Sequence, residues 1–178
     1  MKDTAAARRY AKALAATVGD AAALEKAAAE LALFAGVVEQ SRALRSVMQN
    51  PAVREEAKAA ILEEVLTRMG ASAVTARILS LIRARGRLAL VRRIAEEAER
   101  IAFERMGKTR VEVVSATALS DADKAELAKR MSALSGKEAV VTTRVDPSLI
   151  GGVVARIGSV VYDGSVKNQL VALRLGMG

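Results

Sequence analysis

MGKTRVEVVS, residues 106–115, decides the fold class, because the spacing of apolar side chains changes within it. Upstream of Gly107, apolar residues recur every three or four positions, which is the period of an amphipathic helix. Downstream, Val111 and Val113 flank the charged Glu112, which is the alternation of a half-buried strand. The change predicts a mainly α chain with two domains, a helical one over residues 1–106 and a second one with strands over residues 107–178.

Residues 1–106 are predicted to fold as a bundle of six α-helices, because the amphipathic stretches are separated only by short loops. Pro51 suits the first turn of the fourth helix, and Leu88 is the first apolar residue of the sixth. Ser72 is expected to cap the fifth helix. The apolar face of that fifth helix is predicted to consist of Val74, Ile78, Leu81 and Ile82.

Residues 107–178 are predicted to form a small α/β domain of the α+β type. Ser120 and Asp123 have the spacing of a capping box, so a helix is expected from there to about Leu134. An amphipathic helix carrying Val166, Leu170 and Leu173 is expected last. The strands are predicted at Thr109–Ser115, Glu138–Val145, Gly152–Ile157 and Ser159–Tyr162.

The residue inventory argues against an enzyme. The chain contains no Cys and no His, which excludes thiol nucleophiles, disulfides, imidazole acid–base catalysis and the usual zinc ligands. Adjacent glutamates such as Glu55 and Glu56 lie in amphipathic helices beside basic residues, which is typical of a solvated face. We therefore predict no catalytic residue, no metal site and no cofactor.

Gly107-Lys108-Thr109 has the last three residues of a phosphate-binding loop. That motif needs a Gly five positions before its second Gly, where this chain has Ala102, and it runs from a strand to a helix. Here the order is helix to strand, so Gly107 is interpreted as a helix stop.

The formal charge of +8 leaves a nucleic-acid-binding protein as the alternative function. Seven arginines and no acid lie between Glu64 and Glu96. Single-strand binders usually add aromatic stacking platforms, and this chain is only 2% aromatic. Its longest uncharged stretch, Pro147–Ala155, is far shorter than a membrane span of about 20 residues.

The first helix has a second weakly apolar stripe beside its core stripe. Tyr10, Ala13 and Thr17 follow Ala6 at helical spacing. Small side chains there would let a partner helix approach closely. The pattern alone fits an Ala-rich helix without a partner equally well.

Three stretches distributed along the chain form one recognisable set. They are Ala7-Arg8-Arg9-Tyr10-Ala11-Lys12-Ala13-Leu14, Gly86-Arg87-Leu88, and a discontinuous pattern made of Asp146, Leu149-Ile150-Gly151-Gly152, Gly158, Asp163-Gly164-Ser165-Val166 and Leu170. Their order, their spacing and the total length resemble the delta subunits of bacterial F-type ATP synthases and the related mitochondrial oligomycin-sensitivity-conferring protein. The resemblance covers nearly the whole chain.

The resemblance implies a non-catalytic stator subunit, present in one copy per complex, that binds no nucleotide, metal or small-molecule substrate. Its N-terminal bundle would hold the N-terminus of an ATP synthase α subunit, and its C-terminal domain would contact the b subunits of the peripheral stalk. It would reach the membrane only through the complex, on the cytoplasmic face of the bacterial plasma membrane. Nucleic acid is not a partner under this interpretation.

The resemblance also implies where the partners bind. The groove for the α-subunit N-terminus would lie between the first and fifth helices. In this sequence, that groove corresponds to Tyr10, Ala13 and Thr17 facing Ile78, Leu81 and Ile82. Gly151 and Gly152 are expected to serve either the structure of the C-terminal domain or its stalk contact.

Overall fold

The computed structural model describes residues 2–158, 160–168 and 170–171. It divides into two compact units, Met1–Arg105 and Met106–Gly178. The predicted fold class is confirmed, because a helical bundle precedes a small unit with a four-stranded sheet. The helices of the first unit are α1 (Lys2–Val18), α2 (Ala21–Gln40), α3 (Arg42–Gln49), α4 (Glu55–Met69), α5 (Ala73–Ala84) and α6 (Val91–Arg105).

Two predicted helix starts were wrong. The fourth helix begins at Glu55 rather than at Pro51, because the Asn50 side chain accepts a hydrogen bond from the Ala52 amide at 2.9 Å and holds the chain in a turn. The sixth helix begins at Val91. Leu88 instead opens a short 3₁₀ helix, Leu88–Leu90, that leads into it.

The centre of the first unit is the contact between α2 and α6, and α1 packs mainly on α6. Leu24, Leu31 and Phe34 of α2 and Ile94 of α6 are almost completely buried. The facing positions of α1 and α6 are small and buried, which lets the two backbones approach closely. These small residues are Ala7, Ala11, Ala15, Ala95, Ala98 and Ala102.

The second unit is a mixed sheet covered on one face by a helix. Its elements are β1 (Lys108–Ser115), α7 (Asp121–Ser135), β2 (Glu138–Val145), β3 (Val153–Ile157) and β4 (Val160–Asp163), in the sheet order β2-β1-β3-β4. β1 and β2 are parallel and joined by α7, whereas β3 and β4 are added antiparallel. Val111 and Val113 form the core with Met131 of α7.

The structure confirms most of the helix and strand positions predicted for the second unit. Ser120 and Asp123 form the predicted capping box, and the third and fourth strands lie within one residue of the expected bounds. Residues 166–168, 170 and 171 are helical, as expected for the last helix. Ser159 and Leu173 lie outside the described residues.

Within the described part of the chain, no helix is long and apolar enough to cross a membrane.

Glu30 of α2 stabilises the start of α5 through hydrogen bonds. Its carboxylate accepts hydrogen bonds from the amide of Ser72 at 2.9 Å and from the hydroxyl of Ser72 at 2.7 Å. Burial alone would raise the pKa of Glu30, but hydrogen bonds from Thr75 and Ser72 outweigh it and hold the pKa below its ordinary value. Thr75 is fully buried beside this contact.

Glu30→Gln is therefore expected to weaken the bundle at neutral pH by about 1 kcal/mol, because a charge-assisted hydrogen bond is lost. Because the pKa of Glu30 is lower in the folded state, the stability that its carboxylate contributes is present at pH values above its unfolded-state pKa, near 4.5. That stability is lost as pH falls through the folded-state pKa. Urea unfolding of the variant and of the unmodified chain at several pH values measures this contribution to the free energy of unfolding. Glu25→Gln on the same helix is the control, and an equal pH dependence in the two variants would contradict the assignment.

Candidate functional site

The second stripe of α1 reaches the surface only from Tyr10 onwards, so the prediction was wrong for Ala6. Ala13 and Thr17 are exposed, and Tyr10 is half-buried. The Thr17 hydroxyl donates to the Ala13 carbonyl at 2.9 Å, so its methyl group and the Ala13 side chain form the outer surface. Ala6 is buried, so the exposed stripe starts at Tyr10.

The three α5 residues assigned to the same groove do not share one environment. Ile78 and Ile82 belong to the core, with Ile82 completely buried, whereas Leu81 is 46% exposed. A partner can therefore contact Leu81 directly, but it cannot reach Ile82 without moving the bundle. The sequence pattern predicted Val74 and Leu81 on the buried face of α5. In the structure, Thr75 and Leu79 are buried instead.

One contact joins α1 to the end of α5. Arg87, two residues after the C-cap of α5, donates from Nη1 to the Tyr10 hydroxyl at 3.4 Å. Its guanidinium carbon also lies 6.0 Å from the centroid of the Tyr10 ring, at the outer range of a cation–π contact. This pair therefore connects the middle of α1 to the segment that follows α5. The sequence marked Gly86-Arg87-Leu88 as a motif but gave no sign of its contact with Tyr10.

Gly151 and Gly152 hold the segment before the last helix against the start of β3. Gly152 has φ +80°, and a Cβ there would lie 2.4 Å from the carbonyl oxygen of Gly164. The amide of Val166 donates to the Gly151 carbonyl at 3.0 Å. Gly152 is itself exposed, so a carboxylate placed there would clash with the backbone rather than suffer from burial.

Three aspartates of the second unit accept hydrogen bonds from nearby serines, one at the start of α7 and two in turns. Each aspartate accepts hydrogen bonds from the hydroxyl and the amide of a serine two or three positions away. These hydrogen bonds lower the pKa of each aspartate. No group of three or more His, Cys, Asp or Glu that could hold a metal occurs among the described residues. The acid and serine pairs are Asp123 with Ser120, Asp146 with Ser148, and Asp163 with Ser165.

Carboxylates of other helices partly neutralise the arginine-rich region between Glu64 and Glu96. Arg92 forms two hydrogen bonds of 2.6 Å with Glu39, and Arg83 contacts Glu55 at 2.6 Å. These ion pairs tie α6 to α2 and α5 to α4. Glu55 lies on a solvated face, as interpreted from the sequence: its side chain is 61% exposed, and Lys58 of the same helix contacts it at 2.9 Å.

Known proteins resemble the chain over almost its full length. A family model described as the ATP synthase delta (OSCP) subunit matches residues 6–177. The ATP synthase subunit delta of Geobacter metallireducens is 38% identical over 96% of this chain and 94% of that protein. The corresponding protein of Myxococcus xanthus is 36% identical over 98% of this chain and 97% of its own length. A chain in the cryo-EM structure of the Toxoplasma gondii mitochondrial ATP synthase hexamer shares the fold, with a TM-score of 0.70 at 20% identity over 96% of each chain.

Proposed function

Because the chain belongs to the ATP synthase delta (OSCP) family, we propose that it is a non-catalytic stator subunit that links the catalytic head of an F-type ATP synthase to its peripheral stalk. The family match extends through both compact units and is the single observation that carries the proposal. One copy would serve each complex. The chain would lie on the cytoplasmic face of the bacterial plasma membrane and would bind no cofactor, nucleic acid or small-molecule substrate.

The first unit would bind the N-terminal segment of an α subunit. The exposed surface of Ala13 and Thr17 supports this role, because small side chains allow a partner helix to lie close to α1. Leu81 offers an exposed apolar side chain on α5. Tyr10 would form one wall, held by Arg87.

The second unit would contact the b subunits of the peripheral stalk. Several large apolar side chains in it are half-exposed or more and are available to a partner. Ile150 is 77% exposed, and Val160 and Val161 of the edge strand β4 are each about half exposed. These exposed side chains support a partner role for the unit.

A stator needs tight contacts and stiffness rather than reactive groups. Proton flow turns a central rotor, and the head must be held still if the torque is to drive ATP synthesis. A helical bundle with a buried core resists deformation because its interior is close-packed. This requirement is consistent with a chain that has neither Cys nor His.

Binding to purified subunits tests the proposal against the nucleic-acid alternative. We expect immobilised full-length chain to retain the α subunit and a soluble b fragment at about 0.3 M salt, at which nonspecific phosphate contacts are greatly weakened. A random DNA duplex is expected to bind only at low salt. Retention of the DNA but of neither subunit would contradict the stator assignment.

A further inference from the structure

A cleft on the opposite edge of α1 from its predicted partner stripe combines positive charge with a small apolar floor. It lies between α1 and α6 and has a volume of about 550 Å³. Arg8 contacts Glu97, and Arg105 contacts the carbonyl of Gly19, so the two helices run side by side in the same direction. The close alanine packing between them leaves room at the surface, and long cationic side chains line it.

The charges in the cleft do not cancel. Its cations are Arg8, Lys12, Arg100 and Arg105. Glu97 and Glu104 face them: Arg100 contacts both, at 2.8 Å and 2.5 Å, and Arg8 contacts Glu97 at 3.5 Å. Lys12 forms no ion pair within the described part of the chain, and Arg105 donates to a backbone carbonyl. Four cations thus face two carboxylates.

We propose that the α1–α6 cleft is a second docking site, which takes an extended acidic segment of a neighbouring polypeptide. Arg8 and Lys12 are one helical turn apart, about 6 Å along the axis. Alternate residues of an extended chain are about 7 Å apart. Carboxylates at every second position would therefore lie opposite successive cations of α1.

The floor of the cleft favours a peptide over a nucleic acid. Ala15, Ala16 and Ile101 line it with methyl groups, which suit the small side chains between the acidic positions. None of the lining residues is aromatic, so the cleft has no surface on which bases could stack. The partner is therefore a polypeptide whose acidic residues alternate with small apolar ones.

Fluorescence anisotropy of the full-length chain tests the site with a defined probe, a fluorescein-labelled peptide of alternating Glu and Ala about eight residues long. Lys12→Glu is expected to weaken binding of this peptide roughly tenfold, because an attraction at close range becomes a repulsion. Lys12→Arg is expected to bind normally. Raising the salt from about 0.05 M to 0.5 M is expected to weaken binding to the unmodified chain.

Arg42→Glu is the matched control. It makes the same change in net charge at an exposed position, and a glutamate suits the first turn of α3. We expect the control to bind the peptide within about twofold of the unmodified chain. Equal weakening by Lys12→Glu and Arg42→Glu would overturn the proposal, because it would show attraction to net charge alone. Tighter binding of a single-stranded oligonucleotide of equal charge, lost in Lys12→Glu, would also overturn it and assign the cleft to nucleic acid.

Discussion

Ala13→Asp is expected to abolish binding of an α-subunit N-terminal peptide while leaving the bundle folded. Ala13 is exposed on the stripe that also contains Tyr10 and Thr17. A docked helix would cover the new carboxylate without supplying a partner for it. Such a buried, unpaired charge costs several kcal/mol, so affinity should fall by about two orders of magnitude or more.

The free protein should tolerate the same substitution. An aspartate in place of alanine on an exposed helical surface costs less than about 1 kcal/mol in helix propensity. Ala32→Asp is the control, because Ala32 is an exposed alanine within α2 and outside the proposed groove. Calorimetric titration and thermal unfolding of both variants measure the two effects. Normal peptide affinity in a folded Ala13→Asp variant would refute the groove assignment.

Gly152→Ala is expected to destabilise the second unit by about 2–5 kcal/mol, because two penalties act at one position. The backbone has φ +80°, which disfavours any side chain, and the new Cβ would lie 2.4 Å from the carbonyl oxygen of Gly164. That oxygen belongs to the backbone and cannot rotate away. Gly152→Asp should be at least as damaging and should impair binding of the b subunits, while the α-subunit peptide still binds the first unit.

Gly158→Ala separates the two penalties. Gly158 also has a positive φ, +58°, but nothing lies within 4 Å of a Cβ built there. Gly158→Ala should therefore lower the free energy of unfolding by only about 1–2 kcal/mol. Urea unfolding of both variants, with binding of the α-subunit peptide and a soluble b fragment measured in parallel, gives the comparison. Equal destabilisation by the two substitutions would show that the close approach to Gly164 does not matter.

The sequence was sufficient for the fold class and for most helix and strand bounds because those depend on short-range chemistry. The Ser120 and Asp123 capping box, and the serine that caps α5, are local hydrogen-bonding patterns that the structure reproduces. Pro51 was misleading because its neighbour Asn50 stabilises a turn, which competes with a helix start.

The details of the candidate site depended on packing between distant residues. Helical spacing places Ile78, Leu81 and Ile82 on one broad face, but only the positions of neighbouring helices determine which of the three is covered. Glu30 also explains why a polar residue, Thr75, can occupy the core. The contact between Tyr10 and Arg87 joins residues 77 positions apart, so no local pattern could predict it.

Formation of a bridged complex is the most direct test of the proposed stator function. Mass photometry of a catalytic head purified without this subunit, mixed with a soluble b dimer, should show the two components separately. Adding the full-length chain should produce a single larger species that contains the head, the b dimer and one copy of the chain. If the chain binds the head and the b dimer only in separate complexes, or binds neither of them, it does not link the head to the stalk and the proposed function is wrong.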